Sequence, residues 1–183
     1  DGNRRWAKSR MLPSLMGHKQ GVDTYETLIE KAKDMGIKVL TGWAFSTENW
    51  KRSKDEVDGL FGLVKQFAQR FKEKCIREEI RFIHIGRKDR LPDFLMAEIN
   101  EMEEKTKHFT GFTFVAAVDY GGHDELVRAT RKLVEQGLEI NEENIEKNLD
   151  TAGLPPVDLI IRTGGEQRLS GYLPWQSAYA ELF

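Results

Sequence analysis

Apolar residues along the chain follow two spacings in turn, one typical of helices and one typical of strands. From Gly17 to Met35 they return every three or four positions, which predicts an amphipathic helix that Gly36 stops. The apolar-rich run 37–45 that follows predicts a buried strand. A second long helix is predicted after Ser53, where Ser-Lys-Asp-Glu forms a capping box in front of an apolar stripe.

The same alternation continues through the rest of the chain. It predicts strands at 81–85, 112–118 and 157–161, and helices from Pro92 and over 124–135. Such an alternation favours an α/β fold in which helices cover a mostly parallel central sheet. A length of 183 residues suits one domain, so we expect a single domain over 1–183 with a sheet of about six strands.

Composition and charge narrow the class of protein. The 28 basic and 30 acidic residues give a net charge of −2, which argues against a general nucleic-acid binder. Cys75 is the single cysteine, and its position in a helical apolar stripe favours a buried thiol over a reactive one. No stretch approaches the ~20 apolar residues of a membrane span, and no signal peptide is visible. Because the chain begins without Met and stops at Phe183, we interpret it as a fragment lacking an N-terminal strand and a C-terminal tail.

Polar segments follow the predicted strands at the points where the strands end. The segments are 46–50 after the first strand, 119–122 after the third, 162–165 after the last, and 1–3 after the strand expected before Asp1. Ligands of parallel α/β sheets bind outside the carboxyl ends of the strands. These segments are therefore the candidates for a functional site.

Two of the polar segments combine groups that bind phosphate. Residues 1–8 (Asp-Gly-Asn-Arg-Arg-Trp-Ala-Lys) and 162–170 (Arg-Thr-Gly-Gly-Glu-Gln-Arg-Leu-Ser) each join a carboxylate, glycine backbone and arginines. The chain has no nucleotide-binding glycine fingerprint and no Cys/His metal cluster. Hard oxygen ligands of this kind suit Mg²⁺ held together with substrate phosphates. The pattern predicts a transferase in which two phosphorylated substrates meet near a divalent cation.

Each of these residues also has a structural interpretation. Asp1 is of a type that caps helices, and a helix is expected near Arg4. Arg162 and Arg168 are within reach of an ion pair with Glu166. The surrounding glycines and arginines favour phosphate binding over these alternatives.

Five motifs of the chain resemble those of one enzyme family, in the family's order. They are DGNRRWAK, GHKQG, AFSTENWKRS, DYGGHDELVRA and DLIIRTGGEQRLSGYLPWQSAYAELF. Together they span essentially the whole chain and strongly resemble the cis-prenyltransferases, the undecaprenyl and dehydrodolichyl diphosphate synthase family. The resemblance implies that family's fold, with a hydrophobic tunnel partly walled by the helix that follows Ser53.

The resemblance also implies roles for individual residues. Asp1, Ser46 and Asn49 are expected to be catalytic, and Asp1 and Glu181 to bind Mg²⁺, with Glu181 acting in the same chain or across a dimer. The residues expected to bind the two diphosphate substrates are Gly2, Asn3, Arg5, Trp6, His18, Ser46, Glu48, Trp50, Arg52, Arg162, Arg168 and Ser170. Those of the first and second motifs would hold the allylic diphosphate, and the last three would hold isopentenyl diphosphate.

The reaction implied is a Mg²⁺-dependent condensation of isopentenyl diphosphate onto an allylic diphosphate, with farnesyl diphosphate as the expected starter. The product would be a long-chain Z-polyprenyl diphosphate such as undecaprenyl diphosphate, a lipid-carrier precursor. We expect a cytoplasmic homodimer that is at most peripheral to the membrane receiving its product. The alternatives are a non-catalytic partner subunit, which tends to lose the aspartate retained here as Asp1, and a phosphatase or nucleotide-binding module.

Overall fold

The computed structural model describes residues 1–183 and contains six α-helices, five strands and one 3₁₀ turn. In chain order the elements are α1 (Asn3–Lys8), α2 (Ser14–Asp34), β1 (Val39–Ser46), the 3₁₀ turn (Thr47–Lys51), α3 (Lys54–Arg77), β2 (Ile80–Ile85), α4 (Asp93–Thr106), β3 (Phe112–Tyr120), α5 (Gly122–Gln136), α6 (Glu142–Asn148), β4 (Leu159–Ile160) and β5 (Glu181–Leu182). The predicted alternation of helices and strands is confirmed, and α6 and β5 are additions to it.

The helix ends follow the signals expected from the sequence. The hydroxyl of Ser53 accepts a hydrogen bond from the backbone of Glu56 at 3.4 Å, which caps α3. Gly36 has φ +79°, and the backbone around it folds back onto the last turn of α2. Only glycine adopts this left-handed conformation without steric strain, so the stop predicted at Gly36 is confirmed.

All strand pairs are parallel, as predicted, but the sheet is smaller than expected. β1, β3 and β2 form a three-stranded sheet in that order, and β4 and β5 pair separately. The expectation of about six strands in one central sheet is therefore wrong. The predicted strand 157–161 shortens to the two residues of β4, which pairs only with β5, and Leu159 and Ile161 are 51% and 63% exposed.

Strand β3 is the centre of the molecule, and its side chains are buried along its whole length. Its faces contact two apolar clusters, a larger one under α3 and α4 and a smaller one around Ile85, Val115 and Tyr120. Cys75 lies in the larger cluster, where burial raises the pKa of its thiol to about 12. The thiol is therefore a packing group, as predicted.

The register of the sheet brings the carboxyl ends of its strands together. Ser46 at the end of β1 lies beside Tyr120 at the end of β3, and Ile85 at the end of β2 lies beside Ala117. The polar segments that follow these strands consequently meet at one edge of the sheet.

Candidate diphosphate site

The first motif is held against the second by two glycines. A Cβ on Gly17 would overlap the carbonyl oxygen of Asn3 and lie 2.8 Å from its carbonyl carbon. A Cβ on Gly21 would come within 2.8 Å of the Asn3 side-chain nitrogen. Glycine at both positions lets α2 approach α1 closely, so Asn3 and His18 become neighbours, with Nδ2 and Nδ1 3.5 Å apart.

His18 lies among charged groups from the first motif, the third motif and helix α3. Its Nε2 is 3.9 Å from Glu56 Oε1, and the same carboxylate accepts a hydrogen bond from Arg52 at 3.0 Å and lies 3.9 Å from Arg4. Burial, followed by the positive charge of Arg52, lowers the pKa of His18 below its usual value. The imidazole is therefore neutral near pH 7, and its buried Nε2 has no hydrogen-bond partner.

Asp1 links the beginning of the chain to the segment 162–170. Its Oδ1 accepts the backbone N–H of Gly2 at 2.8 Å, and its Oδ2 accepts Arg162 Nε at 3.0 Å. Arg162 Nη1 donates to the Ser170 hydroxyl at 2.9 Å and to the backbone carbonyl of Arg168. The structure therefore joins two segments that the sequence separates by some 160 residues.

A second set of contacts reinforces this junction. Arg5 Nη2 donates to the carbonyl of Gly164 at 2.8 Å and lies 3.4 Å from Glu166. Arg168 contacts the same carboxylate at 2.6 Å and lowers the pKa of Glu166, which is therefore ionised. Arg5, Arg162 and Arg168 thus face the carboxylates of Asp1 and Glu166, which leaves an excess of one positive charge.

These ion pairs are accessible to solvent and replaceable. The side chains of Arg5 and Arg168 are 62% and 64% exposed, and that of Asp1 is 42% exposed. Exposed pairs of this kind contribute little to stability. A diphosphate carries more charge than one carboxylate and accepts forked hydrogen bonds from guanidinium groups, so it competes well for these arginines.

Ser46 and Asn49 close the turn that follows β1. The backbone N–H of Ser46 donates to Asn49 Oδ1 at 3.1 Å, which holds both residues at the carboxyl end of the sheet. Glu48 is exposed and accepts a hydrogen bond from the Thr47 hydroxyl. Trp6 is placed differently, on α1 beneath the guanidinium of Arg10, which lies 4.3 Å from the ring centroid.

Trp50 is positioned by Asp119, from the polar segment 119–122, and through it by Arg90, which lies outside the five motifs. Its Nε1 donates to Asp119 Oδ1 at 2.8 Å, and Arg90 donates to both oxygens of the same carboxylate at 2.9 and 2.5 Å. Asp119 is fully buried and has φ +54°, a conformation that Asp and Asn tolerate better than other side chains. Its place after a buried strand and at the start of the fourth motif marked Asp119 in the sequence, whereas no motif marked Arg90.

A buried carboxylate also ties β3 to the C-terminal segment. Glu125 is 1% exposed and accepts hydrogen bonds from the Tyr120 hydroxyl, the Gln176 amide and the backbone of Asp150. The sequence signal that could have identified it is a glutamate on the inward face of α5. This network holds the segment after residue 170 against the sheet.

The two carboxylates expected to bind metal do not share a cluster within one chain. Glu181 is exposed on β5 beside Leu159, whereas Asp1 contacts Arg162, beyond the end of β4. No group of three or more His, Cys, Asp or Glu side chains is arranged to hold a metal ion. The carboxylates near the arginines are those of Asp1 and Glu166, and Glu166 contacts both Arg5 and Arg168, whereas Asp1 contacts Arg162 alone. A site with so few carboxylates suits a cation that takes most of its ligands from substrate phosphates and water.

The structure brings most of the predicted site residues into three neighbouring groups. Asp1, Gly2, Arg5, Arg162, Arg168 and Ser170 form the first; Asn3, His18 and Arg52 form the second; and Ser46, Asn49 and Trp50 form the third. Their predicted chemical roles remain predictions. None of the helices has the length and apolar character required to cross a membrane.

The amino-acid sequence matches a known family and several named relatives along its whole length. The matching family is described as "Putative undecaprenyl diphosphate synthase" and covers residues 1–183. A protein named isoprenyl transferase from Treponema denticola is 49% identical over 184 residues, which are 100% of this chain and 81% of that protein. An isoprenyl transferase from Aquifex pyrophilus is 46% identical over 184 residues, covering 100% of this chain and 80% of that protein.

Two solved structures share the fold. A probable undecaprenyl diphosphate synthase from Campylobacter jejuni superposes with a TM-score of 0.83 at 42% identity, covering 90% of this chain and 78% of that one. Lavandulyl diphosphate synthase from Lavandula x intermedia, in complex with dimethylallyl diphosphate, gives a TM-score of 0.94 at 39% identity, covering 100% and 82%. The predicted α/β fold class is confirmed by both.

Proposed function

The chain belongs to the undecaprenyl diphosphate synthase family and is a transferase of prenyl groups, and from this premise we propose the reaction that its site performs. We propose a Mg²⁺-dependent cis-prenyltransferase that condenses isopentenyl diphosphate onto an allylic diphosphate, with farnesyl diphosphate as the starter. The product proposed is a long-chain Z-polyprenyl diphosphate such as undecaprenyl diphosphate. The observation that carries the proposal is the junction of Asp1 and Arg5 with Arg162 and Gly164.

We infer from the junction two adjacent positions at which diphosphate groups would bind. On the α1 side, the backbone of Gly2 and the side chains of Asn3, Arg5 and His18 would bind the allylic diphosphate. A neutral His18 in the Nε2–H tautomer would donate a hydrogen bond to a phosphate oxygen, because its Nε2 has no partner within the protein. The dimethylallyl diphosphate bound by the lavandulyl diphosphate synthase is a substrate of the same chemical class.

On the other side, Arg162, Arg168 and Ser170 would bind the diphosphate of isopentenyl diphosphate. Arg162 already donates to the Ser170 hydroxyl, so the two side chains are fixed relative to each other before substrate binds. Holding the two substrates side by side converts a bimolecular step into one between positioned groups. Ser46 and Asn49, at the end of β1, would orient the reacting carbons.

The reaction proposed breaks one bond and forms another. The allylic C–O bond breaks, and pyrophosphate leaves with the bonding electron pair. The double bond of isopentenyl diphosphate attacks the allylic carbon. A proton then leaves C2 of isopentenyl diphosphate, so that the new double bond is cis. The arginines stabilise the charge that develops on the leaving diphosphate.

Asp1 is the residue proposed to hold Mg²⁺ within the chain. Its carboxylate is half exposed and has oxygen lone pairs beyond those used by Gly2 and Arg162. When bound there, Mg²⁺ would supply neutralisation of the allylic diphosphate charge. In a homodimer, Glu181 would contribute a second carboxylate ligand for Mg²⁺ from across the interface. The proposal includes this homodimer, and light scattering of the purified protein tests it.

A product assay tests the proposed reaction directly. Protein is incubated with farnesyl diphosphate, labelled isopentenyl diphosphate and Mg²⁺, and the extracted lipids are sized with and without EDTA. We expect a ladder of labelled prenyl products that EDTA abolishes. Absence of labelled lipid from folded protein would refute catalysis and favour the partner-subunit alternative.

Two substitutions separate the two diphosphate positions. Asp1→Ala is expected to lower kcat by several decades while the allylic substrate still binds, and Arg168→Ala is expected chiefly to raise KM for isopentenyl diphosphate. Asp34→Ala removes an exposed aspartate that has no ion pair, so it controls for loss of charge. The opposite pattern of kcat and KM effects would show that the two positions are exchanged.

A further inference from the structure

The segment 2–22 is the most basic part of an otherwise acidic protein. It contains five Lys or Arg residues and no Asp or Glu, and the rest of the chain has 23 basic and 30 acidic residues. Arg4 and Arg5 lie near the carboxylates of Glu56 and Glu166, but Lys8 and Arg10 form no ion pair with an acidic group. The turn between α1 and α2 therefore carries positive charge that the protein itself leaves uncompensated.

The same turn exposes large apolar side chains. Met11 is 95% exposed, and Leu12, Leu15 and Met16 are 39%, 42% and 45% exposed. The protein exposes other hydrophobic residues, but here they directly follow the unpaired cations Lys8 and Arg10 within Lys8–Met16, which we call the basic–apolar turn. Exposed apolar groups clustered beside polar ones are a feature of surfaces that bind partners or membranes.

The backbone holds this arrangement in place. Met11 has φ +54°, which is uncommon for a side chain of this size, and the backbone N–H groups of Met11 and Leu12 donate to the carbonyls of Lys8 and Ala7 at 3.1 and 3.0 Å. The turn is thus fixed in a strained conformation that directs Met11 into solvent. Strain that persists in a well-bonded turn is a reason to look for a function.

Basic and apolar groups of the turn share one concave surface. A cavity of about 450 Å³ is lined by Lys8, Met11, Leu12 and Pro13 together with Arg4, Arg5 and Ser14. Lys8 and the apolar side chains of Met11 and Leu12 consequently approach the same partner from one side, and Arg10, outside the cavity, directly precedes Met11 in the chain. Nucleic acid would use the cations and leave Met11 and Leu12 in water, whereas an anionic bilayer accommodates both kinds of group.

We propose that the basic–apolar turn docks the protein on an anionic phospholipid bilayer. Lys8 and Arg10 would contact lipid phosphates, and Met11 and Leu12 would enter the boundary between headgroups and acyl chains. Arg10 lies over the Trp6 ring, which places an aromatic side chain at the same level, where indole rings favour the interface. Arg5 also belongs to the diphosphate site, so the proposal assigns lipid contacts to Lys8, Arg10, Met11 and Leu12 only, and lipid binding is measured separately from the reaction proposed above.

Vesicle sedimentation with the full chain tests the proposal. The probes are vesicles of phosphatidylcholine alone and of phosphatidylcholine with about one third phosphatidylglycerol, each at low and high NaCl. We expect binding only to the vesicles containing phosphatidylglycerol, with at least a tenfold loss for Lys8→Glu/Arg10→Glu. Met11→Ser/Leu12→Ser is expected to weaken binding severalfold without changing the net charge.

Matched variants and a competitor make the result decisive. Arg131→Glu/Lys132→Glu changes the net charge equally at two exposed cations without ion pairs on α5, and it is expected to keep binding within twofold. Absence of binding, or an equal loss in this control, would overturn the proposal. Displacement by inorganic pyrophosphate beyond that caused by NaCl of equal ionic strength would also overturn it, because the turn would then be a phosphate site.

Discussion

Replacing Arg90 with leucine removes the one charged partner of a fully buried carboxylate. Asp119 is 0% exposed, receives both hydrogen bonds of the Arg90 fork, and in turn holds the indole of Trp50 at the candidate site. Breaking a buried ion pair from one side costs about 3–5 kcal/mol, because the remaining charge stays out of water. The Arg90 side chain is 38% exposed, so we expect about 3 kcal/mol, the lower end of that range.

A second substitution tests the reason for this loss. Asp119→Asn removes the uncompensated charge, keeps an oxygen for the Trp50 N–H, and tolerates φ +54°. Arg90→Leu/Asp119→Asn should therefore be more stable than Arg90→Leu by about 2 kcal/mol, although it has one hydrogen-bonded pair fewer than the wild type.

Urea unfolding at pH 7, followed by tryptophan fluorescence, measures both effects. Arg81→Leu is the control, because Arg81 is exposed on β2 and forms no ion pair. A change below about 0.5 kcal/mol for Arg90→Leu, in the range of ordinary surface substitutions, would refute the reasoning. So would a double variant less stable than Arg90→Leu itself.

Three further predictions concern packing and pH. Gly17→Ala should lower the free energy of unfolding by about 1–3 kcal/mol and weaken allylic diphosphate binding, because its Cβ forces α1 away from α2. Urea unfolding and ligand titration measure the two effects. Gly62→Ala is the control, since no atom lies within 4 Å of its Cβ, and it should cause neither loss. Tyr25→Phe removes a buried hydroxyl that has no partner, so unfolding by urea should show a gain of about 1 kcal/mol, and a loss would contradict this. Burial lowers the pKa of His84 below 6.5, so the unfolded chain binds the proton more tightly than the folded one. The contribution of His84 to stability is therefore full above pH 6.5 and is lost as the pH falls. His84→Gln should flatten this decline in urea midpoints measured from about pH 7 to 5.

The sequence predicted those parts of the fold that depend on periodicity. Helix α3 and strand β3 have apolar patterns long enough to define both their type and their buried side, and the signals at Ser53 and Gly36 predicted the start of α3 and the end of α2. The pattern could not predict how many strands join one sheet, since β4 and β5 are each two residues long and have no period to read.

The candidate site was predictable where its residues form compact motifs. Asp1, His18 and Arg162 each belong to such a segment, and the structure places them at the same edge of the molecule. Arg90 was missed because its role depends on a contact with Asp119, 29 positions away. Contacts of that kind are set by the register of the sheet rather than by any local pattern.

The contacts between the two ends of the chain also determine when a binding site can exist. Arg5 reaches Gly164 across 159 positions, and Arg162 reaches Asp1 across 161. During synthesis the segment of Asp1 and Arg5 therefore has no contact with residues 162–164 until nearly all of the sheet and helices have been made. A diphosphate held where the two segments meet would bind the completed fold and not the unfinished one, and at one hundred times its Kd it would stabilise that fold by about 2.7 kcal/mol. Such a ligand would thus stabilise only those chains in which both segments have reached their folded positions.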